Sequence, residues 1–332
     1  MPNPTQSDLH VNVPLTNVSV AYMQDKATFI ADKVFARVPV QKQSDLYWKY
    51  SKSDWRKTEA QKRAPGTESA GTGWKVDTGQ YFCQVYAVHK DIDDQIRANA
   101  DSNWSLDKDA STFVTNQLLL KRDIDWNSTF FKTGVWGTDL TGVASGVGAG
   151  EFLQWNDSAS DPIVQFASLQ TDFVEQSGRK ANTLVLGART ITALKNHPDI
   201  IDRIKYTQRG VVTTDLLASL FDVERILVSY ATVGSGAEIN DAADQDAGTT
   251  YSFMSDSKSA LLCYTPSSPS LMTPAAGYTF TWNGYLAGNG YGIRMKRFRM
   301  DHIASDRVEG EMTYDMRVVS PDMGVFLSSA VA

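Results

Sequence analysis

The stretch WRKTEAQKRAPGTESAGTGWKV, residues 55–76, constrains the fold of this chain more than any other. Between Trp55 and Trp74 it has no large apolar side chain, it gathers Arg56, Lys57, Lys62 and Arg63 within eight positions, and it closes on glycines. A segment of that composition cannot build a core of its own. Whatever flanks it must hold it out as a polar tongue. DLYWKY, 45–50, precedes it, and QYFCQVYAVHKDI, 80–92, follows, with Tyr81, Cys83, Val85 and Ala87 alternating with Phe82, Gln84, Tyr86 and Val88. Such alternation predicts strands. Together they read as a protruding hairpin, and APGT at 64–67 places Pro65 and Gly66 at the centre of a type II turn.

A basic tongue has three uses: a solvated loop, a nucleic-acid contact, or an arm laid over an acidic surface of another copy of the chain. The formal charge of −6, from 32 basic and 38 acidic residues, has the wrong sign for a protein that coats nucleic acid. Glu59 and Glu68 interrupt the tongue, and no second aromatic or basic platform lies near it in sequence. Its length fits the third use best.

With 332 residues, 42% of them hydrophobic, the rest of the chain has material for one large domain or two to three modest ones. Prolines at 2, 4, 14 and 39 break the first forty-odd residues into an extended arm with a helical turn near Lys26 to Val34. An arm without its own core must lean on something else. From Ser105 to Phe131 the periodicity is helical, with Leu106, Ala110, Phe113, Leu120, Ile124 and Phe131 in one stripe, Ser105 to cap the start and Gly134 the end. Such a spine is about 40 Å long. After the Gly-rich linker 141–152 comes a small α/β module: a helix from Pro162 to Gln176 capped by Ser160, the strand NTLVLG, helices at Arg189, HPDIIDRI and TTDLLASLF, and the strand ERILVSYA. Residues 234–250 read as an exposed acidic loop. Toward the C-terminus, Arg294, Lys296, Arg297 and Arg299 mark a basic strand. The next strand, 308–319, sets Val308, Met312, Tyr314, Met316 and Val318 on one face and Glu309, Glu311, Thr313, Asp315 and Arg317 on the other. That alternation predicts a half-buried strand, pairing antiparallel with the basic one through matched charges.

The familiar catalytic patterns are absent. The sequence has no G-x-S-x-G elbow, no phosphate-binding G-x-x-x-x-G-K-[ST], no H-E-x-x-H and no C-x-x-C. TLVLGARTITAL is the nearest strand–turn–helix and carries a single glycine where a dinucleotide site needs several. His10, His89, His197 and His302 are scattered, and Cys83 and Cys263 sit in apolar runs as core thiols or a structural pair. No catalytic, cofactor-binding or metal-ligating residue is therefore expected. No apolar run reaches bilayer length and the N-terminus lacks the order of a secretion signal, so a cytoplasmic origin and no membrane partner are expected.

Taken in order, these segments resemble a tailed-bacteriophage major capsid protein of the Hong Kong 97 type. The arm VPLTNVSVAYMQ…FIADKVFARVPV, RAPGTES at the tongue, YAVHKDI on the return and NSTFFKTG at the spine's end carry the first half. ANTLVLGARTITALKNHPDIIDRIKYT, PAAGYTFTW and VEGEMTYDMRVVSPDMGVFL carry the second. The resemblance implies an α+β capsid fold with an arm (1–44), an extended loop (45–91), a peripheral domain built from 92–156 and 285–332, and an axial α/β domain (157–284). It implies pentamers and hexamers closing into an icosahedral virion shell around double-stranded DNA, bound without sequence specificity. It also implies a portal, decoration proteins in some relatives, and a scaffold supplied as a separate protein, because the arm starts within about a dozen residues of Met1 where relatives carry a prodomain. The loop residues Trp55, Arg56, Lys57, Lys62, Arg63, Pro65, Gly66 and Trp74 would then be subunit-interface residues. Arg294, Lys296, Arg299, Glu309, Glu311 and Asp315 would pair across the C-terminal strands. Some relatives bond a loop lysine to a neighbour's asparagine, but nothing here pairs Lys57 or Lys62 with one. The same fold serves encapsulins, and a soluble α/β enzyme with a non-local site is the alternative of a different class.

Overall fold

The strand Ser305–Val318 is the seam of the molecule. In the computed structural model, which describes residues 24–100, 105–205, 212–235, 250–269, 272–286 and 292–332, this strand pairs antiparallel with three others. Ile293–Met300 takes its first eight residues on one side and Gln84–Asp93 its first ten on the other, and Gly277–Trp282 takes its last four. The arm strand Ala36–Val40 completes a five-stranded sheet by pairing in parallel with Gly277–Trp282. The seam strand is more deeply covered than its alternation predicts. Glu311 is only 5% exposed and Thr313 is fully buried, so the charged face is closed at its middle, while Arg317 stays exposed. Basic side chains and Tyr285 lie over the Glu311 carboxylate, which a binary apolar/polar pattern cannot foresee.

The spine helix, Leu106–Phe130, crosses this sheet at Gly310, where a Cβ would stand 2.5 Å from Val114 and 2.9 Å from Leu118. Its buried row is not the expected stripe. Ala110, Val114, Leu118, Arg122, Trp126 and Phe130 are buried at every fourth position, whereas Phe113 is 50% exposed. Each four-residue step turns about 40° around the axis, so the covered face swings as the helix leaves the seam strand and enters the main core. Ser105 stands at the N-cap without a side-chain bond, and the C-cap is Phe131, ahead of Gly134.

The arm leans on this helix. Ile30, Val34 and Phe35 belong to the main core, and the Phe35 ring packs 5.9 Å from Trp126, 5.1 Å from Phe130 and 6.5 Å from Trp136. The buried Asp123 Oδ1 accepts from Ile30 N and Ala31 N, both at 2.8 Å, satisfying two free donors at the start of the helical turn Ala31–Val34. Burial pushes the Asp123 carboxyl up, against those two bonds. Asp32 meanwhile pairs with Arg37 at 2.7 Å and with the buried Arg122.

The second sheet has six strands in the order Glu151–Leu153, Thr138–Val143, Gly324–Ser328, Ala260–Cys263, Thr183–Gly187 and Arg225–Ser229. Helices Pro162–Ser177, Ala188–Lys195, Pro198–Ile204 and Thr214–Leu220 cover it with Phe166, Phe173, Ile191, Ile200 and Leu217. Asp161, not Ser160, caps Pro162–Ser177, accepting from Val164 N at 3.0 Å. The architecture is thus mixed helix and sheet, with one main core shared by the arm, the spine and the second sheet. The arm's first 23 residues and most of the acidic loop lie outside the described residues.

The hairpin differs from its expected form. Ser44–Tyr50 pairs with Val76–Phe82 as a two-stranded sheet, and the run ends there. Cys83 N bonds Gln43 O at 2.9 Å, and Gln84–Asp93 then joins the seam strand instead. An unbroken alternation hides this change of partner, since side-chain period carries no information on which strand lies alongside.

Candidate assembly interface

Three places that resemble chemical sites, the turn at Gly187, the Ser160–His197 pair and the two cysteines, are closed. Gly187 leads into the helix Ala188–Lys195, but Arg189 N and Thr190 N already bond Ser257 O at 3.0 and 3.1 Å. A Cβ on Gly187 would stand 2.4 Å from that same oxygen, so no phosphate can reach this helix start. Ser160 and His197 come within 3.1 Å, with Asp199 beyond, in a semblance of a triad. His197 Nδ1, however, accepts from Asp199 N at 3.3 Å as the cap of Pro198–Ile204, which puts the ring proton on Nε2. Ser160 Oγ gives its own proton to Asp157 O at 2.7 Å. The imidazole therefore has no lone pair with which to activate the serine, and the pair serves to tie loop to helix. Burial pushes the Cys83 and Cys263 thiols up to about 12, and both are free. Among the described residues no group of three or more His, Cys, Asp or Glu could hold a metal ion.

The tongue stands on a small aromatic base. Lys52–Arg56 forms a short helix, Asp54 accepts from Lys75 N at 2.8 Å to close the neck, and Trp55 meets Trp74 with ring centroids 6.5 Å apart. Arg56 reaches back to its own subunit, donating to Gln176 O at 2.6 Å and Glu175 O at 2.7 Å at the end of Pro162–Ser177. Lys52 bonds Asp322 at 2.8 Å. Beyond this base every residue from Lys57 to Lys75 is exposed. At the tip Thr67 N bonds Ala64 O at 3.2 Å, Gly66 takes φ of 81° after Pro65, and Arg63 donates to Thr67 O across the bend. Lys57 and Lys62 form no ion pair among the described residues.

Beneath the tongue the hairpin has two unlike faces. Tyr47 and Tyr81 stack on Phe280 at 5.4 and 4.6 Å and belong to the subunit. On the other face Leu46 is 59% exposed and Trp48 68%, beside Tyr50 and Val76, and Trp55 and Trp74 add 58% and 64%. Sequence reasoning missed Leu46, Trp48, Tyr50 and Val76. The available signal was a two-stranded segment apolar on both faces with only one core to serve.

The C-terminal strands bring most of their charges together. Arg294 lies opposite Glu311 in register and bonds it at 2.9 and 2.5 Å. Lys296 lies opposite Glu309 but turns diagonally, 2.6 Å from Glu311 against 4.0 Å from Glu309. Burial pushes the Glu311 carboxyl up, yet the bonds from Lys296 and Arg294 outweigh it and leave it below the usual range. Arg299 grips Asp94 with two bonds of 2.6 and 2.5 Å, and the Asp94 carboxyl is lowered by them. Arg97, Arg297, Asp107 and Asp306 extend that cluster. Asp315 stands apart from the basic strand: it accepts from Phe82 N and from Arg317, both at 2.8 Å.

Relatives fit a chain built for contact rather than catalysis. No family model matches it. The major capsid protein of Pseudomonas phage JBD67 is 29% identical over 228 residues, covering 67% of this chain and 69% of that one. Among solved structures, a phage-related protein from Bordetella bronchiseptica RB50 superposes with a TM-score of 0.65 at 20% identity, over 92% of this chain and 94% of the other. The capsid of the cyanophage P-SCSP1u gives 0.59 at 14% identity, over 98% and 94%. An encapsulin from Synechococcus elongatus PCC 7942 shares the fold at 0.52 with only 7% identity, over 96% and 95%, so the likeness that extends to sequence is to the phage proteins. The chain is a homologue of the phage major capsid proteins, a structural shell protein and not an enzyme.

Proposed function

We propose that this protein is the repeated subunit of a closed icosahedral head, assembling as pentamers and hexamers around double-stranded phage DNA. In the Hong Kong 97 arrangement residues 1–44 are the arm and 45–91 the loop crossing a neighbour. Residues 157–284 form the axial domain, and 92–156 with 285–332 the peripheral one. A separate scaffolding protein and a portal complete the assembly.

The observation that carries the reading is the outer face of the hairpin. Three indoles more than half exposed offer roughly 100–150 Å² each, worth about 3 kcal/mol apiece if covered. Together they fill the largest apolar patch expected on a typical monomer. Trp48, Trp55 and Trp74 face water in the single subunit, and repeated contacts of this kind terminate by closing into symmetric shells. Electron microscopy and sedimentation of the purified chain, with any required scaffold supplied, test this. Shells of several hundred ångströms are expected, and a monomer at every concentration would end the reading.

A further inference from the structure

Beside the point where Arg56 grips its own subunit lies an open groove of about 360 Å³. Leu140, Leu169, Phe173 and Val325 form its floor, and Asp172 and Glu175 its rim. Both carboxylates sit in the last turns of Pro162–Ser177, which has no basic residue in its last turn, and neither forms an ion pair among the described residues. That is the wrong charge for a helix C-terminus, whose free carbonyls already carry partial negative charge. The Arg56 guanidinium on the main-chain carbonyls of Glu175 and Gln176 relieves part of it and leaves the two rim carboxylates without an ion pair among the described residues.

We propose that this groove receives the basic segment of the tongue, Lys57 to Arg63, from a second copy of the chain. The proposal rests on the shell reading above and names the surface that the loop would meet. A lysine suits the site: its aliphatic stem lies along the apolar floor while its ammonium meets Asp172 and Glu175 at the rim. The tongue supplies suitable lysines: Lys57 and Lys62 are exposed five positions apart and form no ion pair among the described residues. Its ten residues from Lys57 to Gly66 span up to about 33 Å when extended, enough to cross a subunit boundary. The chain's own arm is a poor occupant, since residues 1–23 contain no Lys or Arg.

The test is a charge exchange between two subunits. One variant carries Lys57→Glu and Lys62→Glu, the other Asp172→Lys and Glu175→Lys. Each alone should fold, as judged by an unchanged melting temperature, yet form shells with a yield lower by about tenfold or more. Mixed in equal amounts they should recover hexamers, in which the two variants can alternate so that each tongue finds a groove of opposite charge, as a five-membered ring cannot. Wild-type yields from either variant alone, or no recovery on mixing, would overturn the proposal. Recovery only when all four substitutions share one chain would mean that the tongue folds back on its own groove, and would also overturn it. If removal of residues 56–73 blocks assembly while Asp172→Lys with Glu175→Lys has no effect, the groove is wrong and the shell reading stands. If wild type forms no shell, it is the shell reading that fails.

Discussion

The tongue and the basic strand Ile293–Met300 are alike in sequence and opposite in structure. Each carries four basic residues within eight positions or fewer. On the strand, Arg294 and Lys296 meet Glu311, Arg297 meets Asp306, and Arg299 meets Asp94, all inside one chain. On the tongue, Arg56 bonds backbone carbonyls, Arg63 bonds the turn next to it, and Lys57 and Lys62 form no ion pair among the described residues. Charge matched within the chain holds a subunit together; charge left open is available to something else. A basic strand so fully paired also has little left for phosphate, whose binding requires free cations to displace counterions.

The comparison would break most visibly on removing the tongue. Deleting residues 56–73 and bridging with a short turn removes no core side chain, so the subunit should melt within a few degrees of wild type while shell formation is lost. Sedimentation beside a thermal melt reads both at once. A deleted chain that assembles normally would reduce the tongue to a solvated loop.

The opposite dissociation is expected from Glu311→Lys. This carboxylate is nearly fully buried beneath Arg294, Lys296 and Tyr285, and reversing it leaves like charges facing one another under cover. A loss of about 3–5 kcal/mol of subunit stability follows, measurable by urea unfolding before any assembly step. A change below about 1 kcal/mol would mean that the strand charges are no more tightly bound than surface pairs.

Acid offers a subtler separation. Arginine bonds hold Asp91, Asp94 and Asp107 below the usual carboxylate range, from Arg307, Arg299 and Arg97 respectively. With folded values depressed, their stabilisation is complete above the unfolded carboxylate range near pH 4 and is lost as pH falls through the folded values. The subunit should therefore lose melting temperature between about pH 5 and pH 3. All three pairs lie outside residues 56–73, so wild-type and tongue-deleted subunits should follow the same curve. A flatter curve for the deleted chain would place part of the acid sensitivity in the tongue.

How far such contrasts can be read without coordinates depends on range. The bend at Pro65–Gly66 is legible because four adjacent residues determine it. The antiparallel meeting of the basic strand with the acidic one is legible because their charges are opposite, whereas the facing of Arg294 by Glu311 depends on register, which alternation does not fix. The covered face of the spine is not, since Val114 answers to the seam strand and Trp126 to the arm, and no single stripe records two partners. Nor is the outer face of the hairpin. Leu46, Trp48 and Tyr50 look like core residues, and only the structure reveals that Tyr47 alone of that run reaches the subunit's interior.

The finest test applies one chemical change in both regions. Lys296→Ala removes a bond of 2.6 Å to a buried carboxylate that keeps Arg294 as a partner, so the loss should be about 1–2 kcal/mol, visible as a shift in the urea midpoint at constant slope. Lys62→Ala removes an exposed side chain with no ion-pair partner among the described residues, and the subunit's stability should stay within about 0.5 kcal/mol of wild type. Only the assembly step should register the second change, as a rise in the concentration at which shells first form. Equal losses of subunit stability from the two substitutions would erase the distinction between charge that a chain uses on itself and charge that it holds out to a neighbour.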